Sequence, residues 1–387
     1  MKKWFIPGLE KFPTQRALLH LGLNKAVRYY RELVAPGIGG VWFVRQLSWA
    51  VAGIQLTKDI NQPILASRIA NAIEALACKL ILKDNSNANV RGKRAFRRYP
   101  DAWLFKELSQ PMNYVQVTYR QSAVTALLKL GITEGGMRFN SMSLSPIGEE
   151  LANAFLNIIR NPLLNWIDGG DFPESGKKVN WLSQKYAGNT ENQIVRDRLR
   201  ADTIDNGNNP HRRRLLIDAF GKLVDVDMPA IKKELNYDQV SEIVTAESFD
   251  YMLTTARNLI YKCAEDLKNA QSKPIKDLAK ENVNIIIELK KKALNFLKHS
   301  EVSKKIHIDA KSFADSIHSA ETEDILQKLI SRDGSILTCS DRKIWQGALF
   351  DRRQEIEEDR NVGSEEYSTK NKISQLFTLW KDCENAQ

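Results

Sequence analysis

The sequence has little cysteine, scattered histidine and no long apolar run, and each shortage excludes something. Cys78, Cys263, Cys339 and Cys383 are the only cysteines in 387 residues. They form no C-x-x-C pair and have no histidine at ligand spacing, which argues against a disulfide framework or a zinc site. The five histidines, His20, His211, His299, His307 and His318, offer no i, i+4 pair. The most apolar stretch, Val34 to Val44, contains Pro36 and three glycines and ends at Arg45. A spanning helix needs ~20 apolar residues, so no membrane partner is expected. At the start, Glu10 and Lys11 cut the apolar run below the roughly 7–15 residues of an export signal. The chain is expected in the cytoplasm. No P-loop, dinucleotide fingerprint or nucleophile elbow occurs, and no small-molecule cofactor is expected.

What is present is an ordinary globular composition with 43% apolar and 27% charged residues, which excludes global disorder. The length predicts two or three domains. The net charge is +10, and its distribution is uneven. Residues 1–150 hold 21 Lys+Arg against 10 Asp+Glu, leaving 36 against 37 in the remainder. A field of one sign gathered in one part of a chain suits a polyanionic partner.

Hydrophobic periodicity is mostly helical. Residues 12–83 read as helices, broken near Gly22 and at Pro36–Gly40, with an apolar helix over Val41–Gln55 and another over Ile64–Leu82. The polar run Asn85–Asn89 reads as a boundary. The expected organisation is an N-terminal helical domain (1–84), a middle domain (90–160), an irregular to helical connector (161–235) and a C-terminal helical domain (236–387). In the last part, apolar faces run through 249–267, 283–297 and 313–330, with a hairpin turn at Asp333-Gly334-Ser335 and a closing helix at 373–380. The fold class is therefore mainly α and multidomain.

The most informative stretch is Gln121 to Leu156. A helix ending at Gly131 leads through Gly135-Gly136 into a strand-like segment. Ser145 then serves as N-cap, with Pro146 at the first position of another helix. This order, through Leu130-Gly131-Ile132 and Leu144-Ser145-Pro146-Ile147-Gly148, resembles the C-terminal half of a winged-helix domain over about residues 100–160. The resemblance implies a recognition helix near 120–130 offering Arg120, Gln121 and Lys129, and a wing offering Arg138 and Asn140. The overall layout also resembles helical accessory proteins of bacterial restriction and anti-phage loci, through the aliphatic N-terminus, the Pro36-Gly37 turn and the winged-helix step.

Beside this module lies a basic run, Arg91, Lys93, Arg94, Arg97 and Arg98, interleaved with Phe96 and Tyr99. Guanidinium forks suit phosphate oxygens. The two aromatics suit base stacking or anchoring of the loop. The expected function is nucleic-acid binding, with DNA and other protein subunits as partners, in a larger bacterial complex with a possible role in anti-phage defence. A protein-binding scaffold is the alternative. A third reading is a metal-dependent nuclease of PD-(D/E)xK type, from Asp277 and the Glu288-x-Lys290 spacing after Ile285–Ile287. The helical face through Val283, Ile286, Ile287, Leu294 and Leu297 opposes it. Asp168-Gly169-Gly170-Asp171 is a candidate cation loop without the ligand alternation of an EF-hand. His211–Arg214 reads as surface charge. No local constellation nominates a catalytic residue.

Overall fold

The computed structural model describes residues 21–86, 88, 90–98, 104–110, 114–115, 117–173, 176–183, 187–201, 212–221, 223–267, 271–347 and 368–384. These residues are mainly α, as expected. They fall into two compact units: a large one of residues 31–243 and 368–384, and a small one of residues 21–30 and 244–347. This division differs from the four segments expected from the sequence.

The large unit begins in α1 (Asn24–Val34) and is built around α2 (Arg45–Leu56) and α3 (Ala66–Asp84). α2 is buried along almost its whole length. At Gly53 an added Cβ would lie 2.4 Å from the Ala70 Cβ, so the two helices cross where neither has bulk. One core runs from Trp49, Ile73 and Leu76 to Val90, Phe96, Phe105 and Tyr114, and on to Phe155 and Trp166. Burying each such side chain contributes about 1.5–3 kcal/mol. The core includes residues of α3 together with Val90 and, on α4 (Lys93–Arg98), Phe96, so the boundary expected at 85–89 falls within one unit.

After α4 come α5 (Phe105–Leu108), α6 (Tyr119–Lys129), β1 (Thr133–Gly135), β2 (Met142–Leu144) and α7 (Pro146–Leu156). The 161–235 connector proves helical through α8 (Arg160–Ile167), α9 (Lys177–Ser183), α10 (Asn189–Arg200), α11 (Arg212–Phe220) and α12 (Met228–Glu234). Asp168-Gly169 ends α8, with Gly169 at φ +99°. Asn165 Nδ2 donates to the Asp171 carbonyl, which explains the loop without a cation. The basic cluster at 212–214 is not surface charge as expected. Arg213 is buried and donates to the carbonyls of Arg198, Leu199 and Ala201, satisfying the orphan acceptors that end α10. Arg212 pairs with Glu242, and Arg214 remains exposed beside Asp218.

In the small unit, α13 (Tyr237–Asp266, counted here from Val244) runs antiparallel to α15 (Val283–Ser303). Thr245 Oγ1 donates to the His299 carbonyl at one end, and Asn282 Nδ2 donates to Asp266 at the other. Phe249, Phe296 and Tyr30 meet between them. The 313–330 face divides into α16 (Ile308–His318) and α17 (Thr322–Arg332). A three-stranded antiparallel sheet completes the unit in the order β3-β5-β4, with β3 (Lys273–Pro274), β4 (Leu337–Ser340) and β5 (Lys343–Gln346). β3 leads directly into α14 (Ile275–Glu281). The hairpin turns at Asp341-Arg342, not at the expected Asp333–Ser335. The chain returns to the large unit in α18 (Thr369–Glu384).

Candidate nucleic-acid interface

The stretch from α6 to α7 is set by local chemistry. Thr118 and Gln121 form a capping box: the Thr118 hydroxyl accepts from the Gln121 N–H at 3.2 Å, and Gln121 Oε1 accepts from the Thr118 N–H at 3.0 Å. Gly131, at φ +66°, turns the chain out of α6. β1 and β2 pair antiparallel, with Thr133 opposite Leu144 and Gly135 opposite Met142. Ser145 caps α7 by accepting from the Gly148 N–H, and its own N–H donates to the Ile132 carbonyl. A Cβ at Gly148 would lie 2.0 Å from that carbonyl. The two short motifs read from the sequence therefore meet in space, with Gly148 required by the close Ile132 carbonyl.

The nine residues expected to contact nucleic acid have different fates. Arg91 turns inward: Nη1 donates to the Val117 carbonyl at 2.8 Å and to Ser122 Oγ at 3.0 Å, and the guanidinium stacks on Tyr119. Arg120 likewise faces the fold, donating from Nε to Asn71 at 2.8 Å and lying over the Phe139 ring. Between these two arginines lies Glu74 of α3, a buried carboxylate set against the start of α6. It accepts from the Tyr114 hydroxyl and from the N–H groups of Tyr119 and Arg120. Burial pushes the Glu74 carboxyl up to about 7, against the pull of Tyr114, Arg120 and Arg91. For Arg120 the loss of water outweighs the pull of Glu74, so burial lowers its guanidinium from the ordinary value.

Lys93 and Lys129 are half-buried and engaged within the fold. Gln121 is exposed but spent on its cap. Arg97 and Arg138 are exposed. The side chains of Arg94 and Arg98 lie outside the described residues, as does Tyr99. Phe96 is not free for stacking on a base, because it packs face to face on Tyr114 at 5.6 Å.

α6, the helix expected to read a groove, has neighbours on more than one side. The Gly40 N–H donates to the Ser122 carbonyl at 2.8 Å, and a Cβ at Gly39 would come within 2.8 Å of the same oxygen. α2 and α3 cover its other side. What stays open is the hairpin. Met137 at its tip is 69% exposed, with Arg138 beside it. Asn140 Oδ1 accepts from the Ser67 N–H at 2.9 Å, which fixes the hairpin to the start of α3. Arg68 and Leu65, both exposed, lie at that helix start.

A second feature escaped the sequence reading. Arg45, fully buried on α2, pairs with Glu191 at 3.1 Å and stacks on Trp181 and Phe155. Ser48 Oγ also donates to Glu191. Burial raises the Glu191 carboxyl and lowers the Arg45 guanidinium from their ordinary values. An open cleft of about 510 Å³ lies above, lined by Glu150, Asn153, Asn157, Trp181, Thr190 and Glu191 among others. Among the described residues no lysine or arginine lines it. A lone arginine in an apolar helix start was the available signal for this pair.

The nuclease spacing is not realised. Ile285–Lys292 lies within α15, Glu288 faces out beside Lys292, and Lys290 donates to the Ala320 carbonyl. No family model matches this chain, and no curated protein or solved structure matches it either.

Proposed function

We propose that the protein binds nucleic acid, with duplex DNA as the target, through the hairpin surface around Arg138 and not through α6. The observation that carries this is the contrast within one module. The hairpin tip is exposed and anchored at its base, while the helix before it is enclosed and its arginine is turned inward. Arg138, Arg68 and Arg97 are suited to phosphate contacts, which position a protein without reading sequence. Binding is then independent of base sequence and steeply dependent on salt.

The test is fluorescence anisotropy on a labelled duplex over a range of salt. Affinity should fall linearly on a log–log plot, and Arg97→Ala with Arg138→Ala should weaken binding and lower the slope by about one for each arginine removed. A flat salt profile overturns the proposal. A second reading, docking of a protein subunit, is favoured by exposed Met137 and Leu65, close in sequence to Arg138 and Arg68. It expects a partner subunit to be lost on Met137→Asp while duplex binding is absent.

A further inference from the structure

The β4–β5 hairpin of the small unit holds an arginine where the backbone disfavours one. Ser340 pairs with Lys343, which leaves Asp341 and Arg342 as a two-residue turn. Both have positive φ, +46° and +56°. Such turns ordinarily take Asn-Gly or Asp-Gly, because a side chain at the second position is crowded in the left-handed region. Asp at the first position fits the turn. Arg at the second does not, and no packing explains it, since Arg342 is exposed. Strain of this kind, held at an exposed tip, points to use of the side chain.

The surroundings agree. The Ile275 N–H donates to the Arg342 carbonyl at 2.9 Å, and Pro274 lies opposite Lys343 in the sheet. This pins the tip against the β3–α14 junction and sets Lys276 near Arg342 and Lys343. All three cations are exposed, and none forms an ion pair among the described residues. Lys273, one strand position away, is by contrast paired with Glu281. Among the described residues Asp341 and Asp277 are acids in the same turn and helix start, and each has a local reason. Asp341 suits its turn position and accepts from Ser340 Oγ, and Asp277 lies in the first turn of α14. The outward face of the hairpin also carries Thr338 opposite Trp345.

We infer that Arg342, Lys343 and Lys276 form a second contact for the sugar–phosphate backbone of duplex DNA, separate from the Arg138 hairpin. The inference rests on the nucleic-acid reading above and adds a site in the other unit. Arg342→Gly is the informative change, because glycine suits the turn and the fold should survive it.

The experiment measures duplex affinity against salt for the full chain, Arg342→Gly, the triple change Arg342→Gly/Lys343→Gln/Lys276→Gln, and Arg97→Ala/Arg138→Ala. The expected result is a Tm for Arg342→Gly equal to or above that of the unchanged chain, with a salt slope lower by about one. The triple change should lower the slope by about three. Unaltered affinity and slope in both variants overturn the inference while the Arg138 proposal stands. Loss through Arg342 alone supports the inference and removes the Arg138 site. No binding by the unchanged chain overturns both. A Tm that falls on Arg342→Gly overturns the strain argument, since it would show the side chain to be structural.

Discussion

The two hairpin-bearing regions treat their cations in opposite ways. In the large unit, the module from α3 to α7 draws Arg91 and Arg120 around a buried carboxylate, so charge that reads as a binding surface becomes internal scaffolding. In the small unit, Arg342 and Lys343 stay outside on a strained turn with no internal partner among the described residues. The difference lies in the neighbours. The guanidinium groups of Arg91 and Arg120 find internal acceptors in Val117, Ser122 and Asn71 around a buried Glu74, whereas no side-chain acceptor of Arg342 occurs among the described residues. Clustering of basic residues in sequence is therefore a weak guide to where a polyanion is held, and the presence of a buried acid nearby is a better one.

Four experiments press on this comparison. The largest effect is expected for Arg45→Ala, the most internal of the arginines. It leaves Glu191 buried without its guanidinium, and urea unfolding should show a loss of about 3–5 kcal/mol. A loss below about 1 kcal/mol would mean that the pair behaves like surface charge.

Arg120→Ala should come next, at about 1–3 kcal/mol, because it strips a partner from Asn71 and from the Glu74 cluster. Arg138→Ala, on the same module, should stay within about 0.5 kcal/mol. Equal costs for the two would erase the distinction between inward and outward cations.

The third experiment is a pH series. Glu74 is raised to about 7 in the fold from an ordinary 4.5, so the folded state holds its proton more tightly. Its contribution is complete at low pH and is lost as pH climbs towards 7. Lys372 on α18 is drawn down by burial to about 7 from 10.5, so stability is regained as pH rises above 7. Each limb has a slope of at most about 1.4 kcal/mol per pH unit. Unfolding free energy should therefore dip near neutrality, with Glu74→Gln levelling the acid limb and Lys372→Met the alkaline one. An unchanged profile in both variants would place the pH response elsewhere.

The smallest effect is Arg342→Gly, where relief of a left-handed residue, about 1–2 kcal/mol, is offset in part by glycine's freedom in the unfolded chain, about 0.4–1 kcal/mol.

Much of the fold was legible wherever the signal is local. Gly131, Ser145 and Pro146 marked the ends of α6 and α7 through turn and cap chemistry, and the apolar stripe of α13 was plain in its spacing. The start of α2 was misplaced because Val41–Val44 look helical in composition. Their backbone groups are instead taken by α18: Gln375 Nε2 donates to the Val41 carbonyl, and Asp382 accepts from the Val44 N–H. The inward turn of Arg91 and Arg120 was not legible, since it depends on Val117, Ser122 and Asn71, whose approach needs the folded core. The polar run at 85–89 imitates a linker because solubility of a turn and separation of domains use the same residues. The Asp341-Arg342 turn was missed because Asp333-Gly334 carries the usual glycine and Arg342 does not.

The return of α18 to the large unit has a consequence for synthesis. Lys372 and Gln375 both donate to the Gly39 carbonyl. On the ribosome, residues 39–44 emerge more than 300 positions before these partners. Until α18 docks, that loop must wait with its backbone groups open to water. A chain cut before Thr369 would leave residues 39–44 without these partners and open to proteases.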